Sequence, residues 1–430
     1  MNSRIPGFSR LSPAQRVGLL EERLGLAPGT FLPDLGLDAP DLFVLDRRSE
    51  GVVGALVLPL SVAPNFRVDG RDTFVPLVTE EPSVVAAASR GALLLREGLG
   101  IVTEVPPRRV AGQVQLRGVP DGAFDAARQR VEAARDELAQ AAREAHPSWA
   151  AAGGDLVGLR AYGAGADLVA LLVIDPGKAM GANLVTDLCE RLASRLEALS
   201  GGVAGLRIVT NAAEGPPVRA SGSVEIRRLH RDPARAEAIA DGVQAASRFA
   251  ESDPRRAVTH NKGIFNGIDA VLQACGQDVR AVEAAGHAHA VRDGRVCPLS
   301  QWRVDGGRLV GTLEVPLAVG TVGGAIEGRA AIRAAFRILG IEASRDPVRL
   351  SAVTAACGLA GNLAALTALA GDGLLRGHLR LHAGNVAAAL GASPADVAAV
   401  TQRLRDEGGP VDRARVARLL ASVRRGRDDS

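Results

Sequence analysis

Lysine is almost missing from this chain. Of its 51 basic residues only two are lysine, Lys178 and Lys262, and arginine supplies the others. A surplus of one charge is missing as well. The 48 acidic residues leave a formal +3, too little for a general nucleic-acid footprint. The one basic concentration, "RVARLLASVRRGRDDS" at the end, reads as a solvated helix face. Cysteine is scarce and scattered. Cys189, Cys275, Cys297 and Cys357 form no CxxC and have no paired-histidine spacing, so free thiols are expected and a metal is not. Apolar runs such as "LVALLVI" at 168–174 stop far short of a membrane span. The opening "MNSRIPGFSRLSPAQR" lacks the apolar core of a secretory signal. These absences point to a soluble, cytoplasmic globular protein, with neither nucleic acid nor membrane among its partners. At 430 residues, 47% of them hydrophobic, the chain is long enough for two or three domains.

What is present reads as mixed helix and strand. Ser12, Pro13 and Gln15 spell a capped helix start. Strands around a "VDGR" turn follow, then a helix over "SVVAAASRGALLL". From about 108 to 214 the pattern is its own. "VAGQVQLRG" alternates as a strand, and "AFDAARQRVEAARDELAQAAREA" (123–145) reads as one long amphipathic helix. "LVGLRAYG" and "DLVALLVID" make a hairpin, "MGANLVTDLCERLASRLEALSG" a second helix, and "VAGLRIVTN" a last strand. That βαββαβ order is the ferredoxin-like split unit, inserted into a larger α/β body. The expected fold class is α+β. Residues 1–107 and 215–372 form a discontinuous large domain, 108–214 the small one, and 373–430 a helical appendage broken at "GASPAD" and "EGGPVD".

Four stretches hold residues with chemistry to offer. In "TEEPSVV", Glu80, Glu81 and Ser83 stand at the mouth of a helix. A carboxyl held there in apolar surroundings suits general-acid work, but residues alone favour two acids complementing a helix dipole. "THNKGIFNGID" (259–269) crowds His260, Asn261, Lys262 and Asn266 among glycines. If a helix begins near Lys262, then Lys262 and Asn266 share a face, and Gly263 and Gly267 permit close approach. A lysine there is a point charge with rotatable donors, fit to meet a developing oxyanion. A solvated lysine on a packed helix is the equal alternative. Asp278 precedes a helix, to cap it or to hold a lysine's charge, while His287 and His289 beyond it read as packing. His378 and His382 lie four apart in "LLRGHLRLHAGN", either as a polar face or as a proton donor on a mobile flap. "GAGADL" lacks the third glycine of GxGxxG and leads into a strand, so no Rossmann fingerprint is present.

In order along the chain, "EEPSVVAAAS", "KAMGAN", "THNKGIFNGID", "GQDVRAVEA", "GTVGGA" and "RGHLRLHA" resemble the motifs of 3-hydroxy-3-methylglutaryl-CoA (HMG-CoA) reductases. The opening "SRIPGFSRLSPAQR" and the length are similar to the bacterial class II branch. The resemblance implies a homodimer, often assembled further into a hexamer, with a large CoA- and substrate-binding domain, a small NAD(P)-binding domain and a C-terminal flap. It implies interconversion of HMG-CoA and mevalonate with two equivalents of NAD(H) or NADP(H), coenzyme A being part of the substrate. Carried over by position, Lys262 is the oxyanion donor, Asp278 lies against it, Glu81 is the protonatable acid, and His378 protonates the departing thiolate. Ser83, Asn211, Arg256 and Asn266 hold the substrate. Met180, Gly181, Ala182 and Asn183 form the cofactor turn.

The chain departs from that pattern mainly on the cofactor side. Lys178 stands where the family has Asp, turning an acceptor of ribose hydroxyls into a cation. Arg143 falls near a further acidic ribose contact of NADH-preferring relatives and suits the 2′-phosphate of NADP. Val279 replaces a tryptophan, and "EGVVG" at 50–54 replaces Glu-Asn-Val-Ile-Gly. The rival readings are a reductase of another acyl-CoA thioester and a CoA-binding pseudoenzyme with an impaired cofactor site.

Overall fold

A computed structural model of the chain describes residues 11–24, 26–29, 44–120, 122–323, 326, 328–371, 384, 386–407 and 411–428. Its compact units are Met1–Pro59 and Leu60–Ser430. In the first, helix α1 (Pro13–Leu24) opens on the expected capping box. The Ser12 N–H donates to Gln15 Oε1 at 2.8 Å, and the Gln15 N–H donates to Ser12 Oγ at 3.3 Å. Arg16, 2% exposed, donates to the Asp46 carboxylate and to the Val52 carbonyl, and its hydrogen bond holds Asp46 below the usual carboxylate range.

The second unit begins with the hairpin β1 (Leu60–Val68) and β2 (Arg71–Val78). Asp69 and Gly70, with φ of +53° and +77°, form its two-residue turn, where a positive φ matches the strands' twist. Helix α2 (Val84–Leu95) and the short β3 (Val102–Glu104) follow.

Residues 110–210 then carry β4 (Val110–Arg117), α3 (Phe124–Ala133), α4 (Arg135–Ala145), α5 (Pro147–Ala151), β5 (Asp155–Ala164), β6 (Asp167–Asp175), α6 (Ala182–Ser200) and β7 (Val203–Thr210). The antiparallel sheet runs β5–β6–β4–β7, with Gln113 opposite both Leu171 and Ile208. One face packs Val114, Leu116, Leu168 and Leu172 against Val131, Leu138, Leu188 and Leu192 of the helices. Each such buried aliphatic side chain contributes about 1.5–3 kcal/mol. The helix expected over 123–145 is two. At Ala134 the N–H is shared between the carbonyls of Arg130 and Val131, both at 3.2 Å, and the turn tightens. The apolar stripes of both pieces, Ala127 and Val131 then Leu138 and Ala142, thereby stay on the sheet.

The chain returns through β8 (Val218–Glu225), α7 (Pro233–Ser252), α8 (Pro254–Ala274), α9 (Val279–Ala290), the two-residue strands β9 (Val291–Arg292) and β10 (Arg295–Val296), β11 (Ser300–Asp305) and β12 (Arg308–Val315). A second antiparallel sheet has the order β11–β12–β8–β3. Helices α10 (Ala330–Leu339) and α11 (Pro347–Ala370) follow. Asp346 caps α11, accepting from the N–H groups of Val348 and Arg349 at 2.9 and 3.0 Å, and Pro347 takes the first turn. α11 is the one helix among the described residues with the length and hydropathy of a membrane span, yet it is largely buried, packed against α2, α7 and α8. It is an interior rod, apolar all round. Gly91 of α2 shows how close: a Cβ there would lie 1.9 Å from the Ala360 carbonyl oxygen.

Helices α12 (Pro394–Glu407) and α13 (Arg413–Asp428) share a small core of their own with Ala387, built from Val400, Leu404, Val416, Leu420 and Val423. The expected breaks at "GASPAD" and "EGGPVD" fall on either side of α12. His378 and His382 lie outside the described residues.

Candidate active site

Helix α8 starts at Pro254, well before Lys262. Asp253 supplies the cap, its Oδ1 accepting from the N–H groups of Arg255 (2.8 Å) and Arg256 (3.4 Å), with Pro254 in the first turn. Lys262 is therefore a mid-helix residue that acts only through its side chain. This start also splits the polar crowd of 259–269 between two faces. His260 and Asn261 point inward, where Asn261 holds the 297–299 segment through Cys297 O and the Leu299 N–H, both at 2.9 Å. His260 Nε2 meets Ser300 Oγ at 2.7 Å, and Asn362 accepts from both Ser300 and Trp302. Burial, helped by the Arg256 charge, pushes the His260 imidazole down to about 4, so it is neutral and structural.

Lys262 and Asn266 point outward together. The Lys262 ammonium donates to Glu81 Oε2 at 3.0 Å, and the Asn266 amide donates to Glu81 Oε1 at 3.4 Å. Glu81 comes from the turn between β2 and α2, where its N–H donates to Thr79 Oγ1 at 3.1 Å. Two residues on, Ser83 takes the N-cap position of α2 with φ +77°, a left-handed conformation costly for a non-glycine residue. Its hydroxyl makes no hydrogen bond among the described residues, which leaves it available. Of the two α8 glycines, Gly267 abuts the Cys357 carbonyl oxygen of α11 and serves helix packing. Gly263 faces open space beside Lys262.

Asp278 caps α9 through a bond from the Ala281 N–H at 3.1 Å. Among the described residues the one acid within ion-pair distance of Lys262 is Glu81. The expected contact between Asp278 and Lys262 is thus absent within the single chain, because that carboxylate turns back on its own helix. A different acid shares the neighbourhood. Asp269 follows Lys262 by two turns of α8, and its Oδ1 is buried without a hydrogen-bond partner among the described residues. Burial first, then the adjacent Glu283 carboxyl, pushes Asp269 up to about 8, with Lys262 pulling the other way. Nothing in "NGIDAV" marks this aspartate, since the pair forms only when α9 packs on α8. Arg256 is half-buried, six residues before Lys262, and its guanidinium has no ion-pair partner among the described residues.

The second group lies at the start of α6. Gly181, with φ +104°, takes the cap position, and no acidic side chain occupies the first turn formed with Ala182 and Asn183. Lys178 donates to the Ser344 carbonyl at 3.0 Å. Its own carbonyl accepts from the Thr321 N–H at 2.8 Å, and Ala179 bridges Val322. Met180 and Asn211 line one cleft together with Arg108, Arg109, Ala285 and Leu317. Arg143 pairs with Asp155 at 2.8 Å, and Asp155 stands opposite Asp175, the strand end that leads into the turn. Arg143 therefore sits at the same end of the sheet as Lys178. Of "GTVGGA", Gly324 and Ala325 lie outside the described residues. His287 lies with its ring centroid 5.1 Å from that of Phe265, the planes tilted by 46°, a packing contact.

The hydroxymethylglutaryl-coenzyme A reductase family profile matches residues 12–383. The chain is 39% identical over 416 residues to the 3-hydroxy-3-methylglutaryl-coenzyme A reductase of Archaeoglobus fulgidus, covering 95% of this chain and 92% of that one. Its structure is similar to that of the reductase from Streptococcus pneumoniae, with TM-score 0.73, 37% identity, and 97% and 99% of the two chains covered. A class II reductase from the same organism, bound to NADPH in open conformations, matches with TM-score 0.72 at 38% identity over 85% of this chain and 99% of its own. The chain belongs to the hydroxymethylglutaryl-CoA reductase family, in its class II branch, and is an oxidoreductase of that kind.

Proposed function

We propose that this family member interconverts HMG-CoA and mevalonate plus free CoA through two hydride transfers, with Lys262 as the donor to oxygen in both. The observation that carries this reading is the ammonium of Lys262, 3.0 Å from Glu81, on an exposed helix face beside the open Gly263. An exposed pair of this kind, with side chains 64% and 37% accessible, is worth under about 1 kcal/mol of stability. Its value lies in what it does to a substrate.

A thioester carbonyl that accepts hydride becomes an alkoxide, and a fixed ammonium stabilises that charge as it forms. Glu81, hydrogen-bonded to the same ammonium, hands Lys262 back the proton it gives up after itself taking one from solvent. The aldehyde left after CoA departs presents a second carbonyl to the same donor. His378 protonates the departing thiolate, and Asp278 supports the positive charge at the site. Ser83, Asn211 and Asn266 hold the substrate, with Arg256 on its carboxylate. The nicotinamide cofactor, when bound, supplies the hydride. The chain fits such an anionic dinucleotide: Gly181 leaves the first N–H groups of α6 open and no acid opposes it there. Residues Met180, Gly181, Ala182 and Asn183 hold it, and Lys178 and Arg143 make NADP(H) at least as good a partner as NAD(H). Val258, one turn before Lys262, is 52% exposed, as an interface face in a homodimer or hexamer would be before assembly.

Purified protein given HMG-CoA and NADPH or NADH is expected to consume the dinucleotide and release CoA thiol. No consumption with either cofactor, in either direction, sinks the reading. His378→Ala is expected to impair the CoA-dependent steps more than reduction of the free aldehyde; equal losses on both count against its role.

A further inference from the structure

One half-buried arginine lines the cleft that Met180 and Asn211 share. Arg108 lies where the chain enters β4. Its Nη2 donates to the carbonyls of Gly177 at 2.5 Å and Ala179 at 2.6 Å, and its Nη1 donates to the carbonyl of Val319 at 2.8 Å. No carboxylate lies within ion-pair distance of it among the described residues. Carbonyls on both sides of the cofactor turn are thus gathered on one planar cation, a geometry that a rigid fork holds and a flexible ammonium does not.

The far side of this clamp leads toward Asp278. The Gly320 N–H donates to Gln277 Oε1 at 2.8 Å, and Gln277 is the residue before Asp278. Gly320 itself is pressed on the turn, where a Cβ would come 2.2 Å from the Met180 nitrogen. Turn 177–180, segment 319–322 and residues 277–278 are therefore one hydrogen-bonded assembly, with Arg108 at its root.

We propose that Arg108 is a positioning residue for cofactor binding, fixing the turn before α6 against segment 319–322, and that Gln277 carries the same registration to Asp278. This rests on the reading of that turn as the dinucleotide site. Burial lowers the Arg108 pKa more than the nearby Asp175 charge raises it, so the charge is costly to keep there and is retained for its geometry.

Steady-state kinetics and NADPH fluorescence titration on the full chain test it. Arg108→Met keeps the stem and loses every donor. Its KM and Kd for NADPH are expected to rise at least tenfold, with the KM for HMG-CoA within twofold, and Arg108→Lys is expected to recover only part of the loss. Gln277→Met is expected to lower kcat severalfold with a smaller rise in cofactor KM. Equal changes in both KM values, or unchanged NADPH binding in Arg108→Met, overturn the proposal. If Arg108→Met does not fold, Arg108→Lys and Gln277→Met decide it, and unchanged cofactor constants in both defeat it. Should the wild-type chain bind NADPH but not reduce HMG-CoA, the functional reading fails while the titration still judges Arg108.

Discussion

The chain's two lysines stand in two different electrostatic settings. Lys262 projects from the middle of α8 and meets a carboxylate, Glu81, brought from 181 residues away. Two turns further along, the half-buried Asp269–Glu283 carboxyl pair adds negative charge behind it. Lys178 projects from a tight turn and, among the described residues, meets only a backbone carbonyl, that of Ser344. The first cation faces a carboxylate on an exposed helix face, where the proposed reaction needs a proton passed and recovered. The second is a fixed charge beside a helix N-terminus, so it can bind an anion but has nothing to exchange with. Arginine would serve badly in the first place, because it does not give up its proton at any working pH.

The comparison makes an ordered set of expectations, the largest at Lys262. On the proposed mechanism Lys262→Ala removes the oxyanion donor, and kcat is expected to fall by about 10²–10³ or more. Its melting temperature is expected to stay within a few degrees, since the exposed ion pair contributes little to folding. Lys262→Arg is expected to recover little. If Lys178→Ala reduced kcat as much as Lys262→Ala, the distinction between the two settings would collapse.

Gly320→Ala comes next, and it sharpens the second region. A methyl group 2.2 Å from the Met180 nitrogen cannot be accommodated by a side-chain rotation, so the turn itself must move. The KM for the dinucleotide is expected to rise by tenfold or more while the Glu81–Lys262 region is untouched. Parallel titrations of NADPH and HMG-CoA check this, and a rise confined to HMG-CoA would contradict it.

Asp269 supplies a pH signature that belongs to the first region alone. Its folded pKa of about 8 lies above its unfolded value near 3.8, so between those values the folded state holds more protons than the unfolded one. Stability from this group is full below pH 4, declines as pH rises, and is lost by about pH 8. Asp269→Asn is expected to flatten that slope, raising the melting temperature at pH 8–9 relative to wild type and leaving it little changed at pH 5. Thermal melts across pH 5–9 measure it, and parallel curves for the two proteins would show that the pair shares no proton.

Local signals were legible where chemistry is local. Ser12 with Gln15, the Asp69-Gly70 turn, and the alternation of 110–117 announce a cap, a hairpin and a strand because each depends on neighbours in sequence. Lys262 and Asn266 share a face because four residues make about one turn. What could not be read is what the fold brings together. Ala134 interrupts a helix although alanine is the strongest helix former, since the sheet beneath decides the path. His260 and Asn261 look like companions of Lys262 until the start of α8 fixes which way each points. Arg108 and Arg109 are adjacent and identical in "PPRRV", yet only one is enclosed by three carbonyls, from residues 177, 179 and 319.

The smallest expected effect is at Lys178, and it tests the comparison from its weaker side. Lys178→Met deletes an exposed hydrogen bond to Ser344 O while Thr321, Ala179 and Arg108 keep the turn in place. A single exposed bond of this type contributes about 0.5–1.5 kcal/mol at most, so folding is expected to change little. If the charge also attracts the 2′-phosphate, the KM for NADPH rises a few-fold while that for NADH does not, and the NADPH effect shrinks as salt is raised. A change of equal size with both cofactors would make Lys178 a fastener of the turn, and the second lysine would then owe its place to the Ser344 carbonyl rather than to an anion.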